Sequence, residues 1–306
     1  MPQPLLSICI PTYNRADCLR QCLASITDQF KDPRVKDRVE IVVSDNGSAD
    51  QTAAVLKQFE QFGNITILRN LENIGFDRNV LQVVAAAKGR FCWLLGDDDA
   101  LFDDALPHVL GLIEKSGCSY FLLNCWGYDH ELNFPALSQP NLHLSENKRF
   151  ATLRELVCDI GNYDDMTGYF GGMSCQLFDR RVWRDYDQKE KYIGTQAIHL
   201  FVILAAFRQL PSLEAAKPVL KVRADNLRWD TFPGLESISK RVRQTQDTLL
   251  WLLELYRIPY SAWKVRFKFF RSWAAQALVA GIKKYLLRNE RLRKFVTKQA
   301  KKILGK

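Results

Sequence analysis

The sequence predicts an α/β protein, a mostly parallel sheet flanked by helices, followed by a basic helical extension. Three observations carry this. Short apolar runs alternate with amphipathic stretches along the first 125 residues. Compact polar clusters follow several of those runs directly. From Glu236 onward the composition shifts to basic and aromatic residues at helical spacing.

Residues 5–10 are an apolar run stopped by Pro11, which reads as a buried strand. Residues 16–29 place Leu19, Cys22, Leu23 and Ile26 on one helical face. A second strand, residues 39–44, ends at Asp45-Asn46-Gly47-Ser48. Ser48 or Asp50 caps the next helix, whose inner face is Val55, Leu56 and Phe59 and whose stop is Gly63. Residues 65–68 give a third strand, and residues 77–88 a helix with Val80, Val83, Val84 and Ala87 inward. Residues 91–95 are a fourth strand, running into Gly96-Asp97-Asp98-Asp99. A helix closing at Gly117 leads to a fifth strand, residues 120–123. Strands joined by such helices imply right-handed crossovers and parallel pairing.

In an open sheet of this kind the carboxyl ends of the strands line the ligand crevice. Thr12-Tyr13-Asn14-Arg15, Asp45-Asn46-Gly47 and Asp97-Asp98-Asp99 all fall there. The triple Asp concentrates negative charge and suits a hard cation, Mg²⁺ or Mn²⁺, with substrate phosphates completing its shell. A cation so placed stabilises a diphosphate leaving group. Asp45 is expected to face the crevice and accept hydrogen bonds from a ribose or a base. Arg78 and Asn79 open the helix before strand four, where a surface Arg and a capping Asn are the plain alternative.

Other chemistries lack their signatures. No G-x-G-x-x-G follows strand one, and the chain has no G-x-x-x-x-G-K-[ST], H-E-x-x-H or G-x-S-x-G. Eight cysteines form no C-x-x-C pair, so free thiols in a reducing cytosol are expected. The N-terminus has no basic segment or cleavage site of a secretory signal, and no apolar stretch is long enough to span a bilayer.

Taken together, Pro11-Thr12-Tyr13-Asn14-Arg15, Ser44-Asp45-Asn46-Gly47-Ser48, Asn73-Ile74-Gly75-Phe76-Asp77-Arg78-Asn79 and Gly96-Asp97-Asp98-Asp99 resemble the family-2 glycosyltransferases of GT-A type. The branch that looks most similar holds abequosyltransferases and related bacterial surface-polysaccharide enzymes. The resemblance implies a GT-A, Rossmann-like domain and an inverting, metal-dependent transfer from a nucleoside-diphosphate sugar to a glycan or polyprenyl-linked acceptor. It puts Pro11, Thr12 and Tyr13 at the nucleoside, Asp45 at the base, Arg78 at the nucleotide, Asp97 toward the ribose, and Asp98 on Mn²⁺ or Mg²⁺, with Asp99 as a further metal ligand. This sequence departs from the family's Asp-x-Asp-Asp by having Gly96 at the first Asp. It also lacks the Glu-Asp pair that carries the base on a later helix. His199 is the titratable side chain in that place and is expected to be the base; Asp164 and Asp165 are the alternatives.

The predicted organisation is a catalytic domain over 1–235, with a nucleotide-sugar half (1–125) and an acceptor half (126–235), then the extension 236–306. The extension carries 18 Lys and Arg against 4 Asp and Glu, a net +14; the whole chain is +9, so the rest is −5. Its Trp263, Phe267, Phe270 and Trp273 lie among the basic residues. Such helices rest on anionic membranes; a solvated bundle or a nucleic-acid stripe are the alternatives. A lipid-linked acceptor favours the membrane, which gives a cytoplasmic protein held peripherally at the inner face, with no nucleic-acid partner. A nucleotidyltransferase is the competing enzyme class, disfavoured because residues 11–15 lack the glycines of its phosphate loop.

Overall fold

The computed structural model describes residues 3–160, 170 and 172–223, all within one compact unit, Met1–Leu227. β1 (Leu6–Thr12), β2 (Val39–Asp45), β3 (Ile65–Arg69) and β4 (Phe91–Leu94) alternate with α1 (Ala16–Thr27), α2 (Thr52–Phe59) and α3 (Phe76–Ala86). Then come β5 (Ala100–Leu101), α4 (Ala105–Ser116), β6 (Tyr120–Tyr128), β7 (Lys148–Phe150) and α5 (Leu153–Ile160). β8 (Gln176–Asp179), α6 (Arg180–Asp185), α7 (Ile198–Ala206) and β9 (Ser212–Arg223) complete the described strands and α-helices, beside four short 3-10 helices.

One sheet runs β3-β2-β1-β4-β8-β6-β9-β5, with β7 on β9. β3, β2, β1 and β4 are mutually parallel, as their helical crossovers require. β1 and β2 are buried at every position, which is why they read as continuous apolar runs rather than alternating ones. Leu19, Leu23 and Ile26 of α1 and Val80, Val83 and Val84 of α3 are buried, as their helical spacing demands.

Beyond β4 the expectation of a mostly parallel sheet needs correction. β8 lies antiparallel to both β4 and β6, wedged between strands that run the same way. β6 and β9 are parallel, while β5 and β7 pair antiparallel with β9. β6 also continues past Leu123 to Tyr128, so one strand crosses residue 125 and the two expected halves share one sheet. The register of β6 against β9 shifts around Asn124, opposite Pro218, which has no N–H to give. The Asn124 amide mends the ladder there, donating to Leu142 O and Ala216 O.

The capping expectation for α2 is not met: its N-cap is Gln51, which makes no side-chain cap, and Ser48 and Asp50 serve other contacts. Asp50 accepts from Thr52 N, its other oxygen accepts from Ala16 N at the start of α1, and Ser48 Oγ instead accepts from Asn14 N. Gly117 closes α4 in the left-handed conformation. All eight cysteines are free, with Cys9, Cys92 and Cys118 buried. Among the described residues no helix is long and apolar enough to cross a membrane. Asp164, Asp165 and the extension 236–306 lie outside the described residues.

Candidate active site

Thr12 ends β1 and pairs in register with Asp45 at the end of β2, and Leu95 continues β4 by donating to Cys9 O. The three polar clusters therefore meet at the carboxyl edge of the parallel strands. A separate groove, lined by Glu40, Asn64, Thr66, Lys88 and Arg180, lies at the opposite ends of those strands.

The turn after β1 is stapled to the turn after β2. Asn46 N donates to Thr12 O, and Ala49 N donates to Asn14 Oδ1. Asn14 sits at φ 51°, a left-handed conformation that Asn tolerates better than most residues. Gly47, at φ 76°, passes so close to Glu72 that a Cβ would lie 2.8 Å from its carbonyl carbon. The Asn46 amide donates to Asn73 Oδ1 and accepts from Ile74 N, which fixes the approach to α3.

Asp45 departs from expectation: it is fully buried rather than facing an open crevice. One oxygen accepts from Ser48 N, while the other has no hydrogen-bond donor among the described residues. The nearest recorded cation is Arg69 Nε at 3.6 Å, on a side chain that is more than half exposed. A buried carboxylate oxygen without a donor is costly and is uncommon outside sites that bind something. Asn79 is also not a surface cap. It is buried, accepting from Ser44 Oγ at 2.6 Å and donating to Ser44 O.

The three aspartates after β4 face different partners. Asp97 is buried, accepting from Thr12 Oγ1 at 2.7 Å and Arg15 Nη1 at 3.1 Å. Asp98 is partly exposed, and its Oδ2 lies 2.5 Å from the same Arg15 nitrogen. Asp99 is buried, accepting from Ser174 Oγ and from Arg223 N. Burial, then the charge of Asp98, pushes Asp97 up to about 6 against the pull of Arg15 and Thr12. Burial and Asp98 likewise push Asp99 up to about 7, with Ser174 and Arg223 opposing. Among the described residues no three acidic, His or Cys side chains converge as a metal cage. Asp97 and Asp98 do share one cationic partner, the arrangement that a hard cation with added phosphate ligands also satisfies.

Gly96 stands where the family has its first Asp, and a side chain there would press on those of its neighbours. A Cβ there would lie 2.8 Å from Asp98 Oδ1, 3.1 Å from Ser174 Oγ and 3.2 Å from Asp99 Oδ2. Ser174 accepts from Gly96 N at 2.8 Å while donating to Asp99, so it holds the loop after β4 from both sides. Arg223 is buried and donates through Nε to Asp98 O and through Nη2 to Gln21.

His199 lies on a separate element, α7. It is buried near the start of α7, edge-on to Phe76 of α3 with ring centroids 6.1 Å apart. Asp77 fixes its helix, accepting from Gly194 N at 2.7 Å, Gln196 N at 2.9 Å and Ile198 N at 3.2 Å. Arg78, the next residue on α3, is exposed, as is Tyr13, while Pro11 is buried. Arg180 and Arg181 lie at the far edge, donating to Gly89 O and to Asp179. Trp126 is half-buried against Tyr128, with its indole N–H donating to Leu137 O.

The sequence reading gave no role to Arg15, Ser174, Asp77 or Arg223. A signal existed for Arg15, a cation in a polar cluster at the edge where three acids gather. None existed for Ser174, whose partners lie more than 70 residues away.

A mixed sheet whose parallel strands β3, β2, β1 and β4 carry polar clusters at their carboxyl edge, with an acidic turn after β4, fits a GT-A-type fold. The chain belongs to glycosyl transferase family 2, whose family model matches residues 7–182. It is 30% identical over 235 residues to the abequosyltransferase RfbV of Salmonella typhimurium, covering 72% of this chain and 67% of that protein. It is 34% identical over 130 residues to the GalNAc(5)-diNAcBac-PP-undecaprenol beta-1,3-glucosyltransferase of Campylobacter jejuni, covering 37% of this chain and 40% of the relative. The chain thus spans from under half to about two thirds of these relatives. Among solved structures, S. aureus TarS 1–349 in complex with UDP matches with a TM-score of 0.57 at 16% identity, over 78% of this chain and 63% of that one. At that identity it speaks for the fold.

Proposed function

We propose that the protein moves a sugar, with inversion, from a nucleoside-diphosphate donor to a hydroxyl of a glycan or lipid-linked acceptor in surface-polysaccharide assembly. The observation that carries this is the buried Asp45 oxygen without a donor, at the strand end beside Thr12 and the Asp97-Asp98 pair. It is the acceptor that an N–H of a nucleobase or a ribose hydroxyl would satisfy. Pro11, Thr12 and Tyr13 line the nucleoside side, and the exposed Arg78 offers charge to the phosphates. Family membership disfavours the nucleotidyltransferase alternative.

Asp98, with Asp97 beside it, would hold Mn²⁺ or Mg²⁺, which supplies charge stabilisation for the departing diphosphate. We read Asp99 differently from the sequence expectation. Its oxygens are engaged by Ser174 and Arg223, so it anchors the loop and the end of β9 instead of ligating metal. In the transfer, the acceptor oxygen attacks the anomeric carbon as the bond to the diphosphate breaks, and its proton passes to a base. His199 is our proposed base, placed by Asp77 at the start of α7.

Asp45→Asn tests the central reading. The amide puts a donor where an acceptor is needed, and loss of one hydrogen bond to a charged group costs about 1.5–3 kcal/mol, about 10- to 150-fold in affinity. Calorimetric titration with UDP, GDP, CDP and dTDP should show the wild type binding at least one of them and the variant binding it more weakly by that factor. Equal binding by both refutes the assignment.

The extension 236–306 we read as a peripheral anchor at the cytoplasmic face of the membrane, supported by its +14 charge and interleaved aromatics. Full-length protein should sediment with anionic vesicles and far less with zwitterionic ones. Equal sedimentation with both contradicts this.

A further inference from the structure

Arg15 stands where the charge of a bound cation would stand. A single nitrogen, Nη1, lies 3.1 Å from Asp97 Oδ1 and 2.5 Å from Asp98 Oδ2. The side chain keeps only about a fifth of its surface exposed, so the bridge is largely shielded from water. Two adjacent carboxylates, one of them buried, repel each other strongly when nothing positive lies between them. Guanidinium cannot relieve that by losing its own proton, since it stays charged at any ordinary pH.

The backbone of Arg15 is pinned, while its side chain keeps a partly exposed face. Asn14 and Ala16 on either side are tied to Ser48 and Asp50, and the Arg15 carbonyl accepts from Leu19 N to start α1. Any exchange of partners is therefore a side-chain movement. Guanidinium pairs with phosphate oxygens as readily as with carboxylate oxygens.

We propose that Arg15 is a built-in counter-cation: without donor it occupies the Asp97-Asp98 pair in place of metal, and with donor it transfers to the diphosphate and yields those carboxylates to the metal. This rests on the reading of Asp97 and Asp98 as the metal-diphosphate end of the site. A divalent cation and Arg15 compete for the same oxygens, so metal alone binds weakly. Donor binding gives Arg15 a new anionic partner and gives the metal new ligands, so metal and donor each strengthen the other, as linkage requires. Arg15 is thus a donor-positioning residue.

The test titrates full-length wild type, Arg15→Gln and Arg15→Lys with Mn²⁺ alone, following free Mn²⁺ by electron paramagnetic resonance. Arg15→Gln should bind Mn²⁺ at least about tenfold more tightly than wild type, equivalent to about 1.4 kcal/mol. Arg15→Lys, which keeps the charge, should stay near wild type. The gain should vanish when Asp98→Asn is added, which places the metal at that carboxylate. Arg15→Gln should also melt lower than wild type in EDTA and recover in Mn²⁺, a readout that serves even if the variant is fragile. Equal Mn²⁺ affinity and no metal rescue, in a wild type whose transfer still needs metal, overturns the counter-cation role and leaves the site assignment standing. No Mn²⁺ binding by any variant, with full transfer in EDTA, overturns the metal reading and this inference with it.

Discussion

Replacing Asp77 should loosen one loop and spare the sheet. Its buried carboxylate accepts three backbone N–H groups, from Gly194, Gln196 and Ile198. The loop it holds is otherwise disfavoured, since Gln196 sits at φ 57°. In Asp77→Ala those N–H groups lose their acceptor. A hydrogen bond to a charged group is worth about 1.5–3 kcal/mol, but three on one carboxylate do not add, and part is returned by no longer burying the charge; about 3 kcal/mol is the expected net loss. That loss applies to opening the loop; Tm, which reads unfolding of the whole domain, should fall by less than the roughly 6–12 °C that a global loss of this size gives. If the loss is local, amide exchange at residues 194–198 should accelerate by about a hundredfold while β1, β2 and β4 change far less. Asp77→Asn, which keeps one neutral acceptor, should fall between. Hydrogen exchange read by mass spectrometry alongside thermal melts decides it. Protection at 194–198 unchanged in the Ala variant, or lost evenly over the sheet, refutes the reasoning.

Three further outcomes follow from the same geometry. Ser174→Ala leaves Gly96 N and an Asp99 oxygen without their partner and should cost about 2–4 kcal/mol, read as a Tm loss that added metal does not restore. Gly96→Asp restores the family's usual residue yet should lower turnover, because its Cβ would lie 2.8 Å from Asp98 Oδ1; turnover at or above wild type contradicts the packing argument. Burial, then the charge of Asp159, raises Glu214 to about 7 against the pull of Lys148. A carboxyl whose folded pKa is raised destabilises the fold once it must ionise, so the penalty is absent below its unfolded value near 4.5 and complete above about 7. Glu214→Gln should therefore melt higher than wild type at pH 8 and alike near pH 4.5, and the reverse trend would exclude a buried, charge-resisting Glu214.

The amino-terminal half of this fold was legible because its signals are local. The residues 39–44 run, the Asp45-Asn46-Gly47 turn and the spacing of Val80, Val83 and Val84 each specify an element within a dozen positions. β8 was harder to place, for nothing in Gln176–Asp179 says that it runs against β4 and β6; that depends on which gap remains in the sheet. The site divided in the same way. Asp97 and Asp98 stand out as a charge cluster, whereas the burial of Asp45 depends on neighbours brought in from other elements. Asn79 looked like a cap because α3 begins nearby, but its true partner, Ser44, is 35 residues earlier. Arg15 and Asp97 are 82 residues apart, and only the parallel pairing of β1 with β4 joins them.

Metal-dependent use of a nucleoside-diphosphate sugar through Asp98 is read by donor cleavage with wild type and Asp98→Asn. Purified protein is incubated with a panel of nucleoside-diphosphate sugars in Mn²⁺, in Mg²⁺ and in EDTA, and released nucleoside diphosphate is measured. Wild type should release it from at least one donor in metal and not in EDTA. Asp98→Asn should melt like wild type and lose nearly all of that release. An Asp98→Asn protein that keeps the wild-type rate in Mn²⁺, or a wild type indifferent to EDTA, would contradict it.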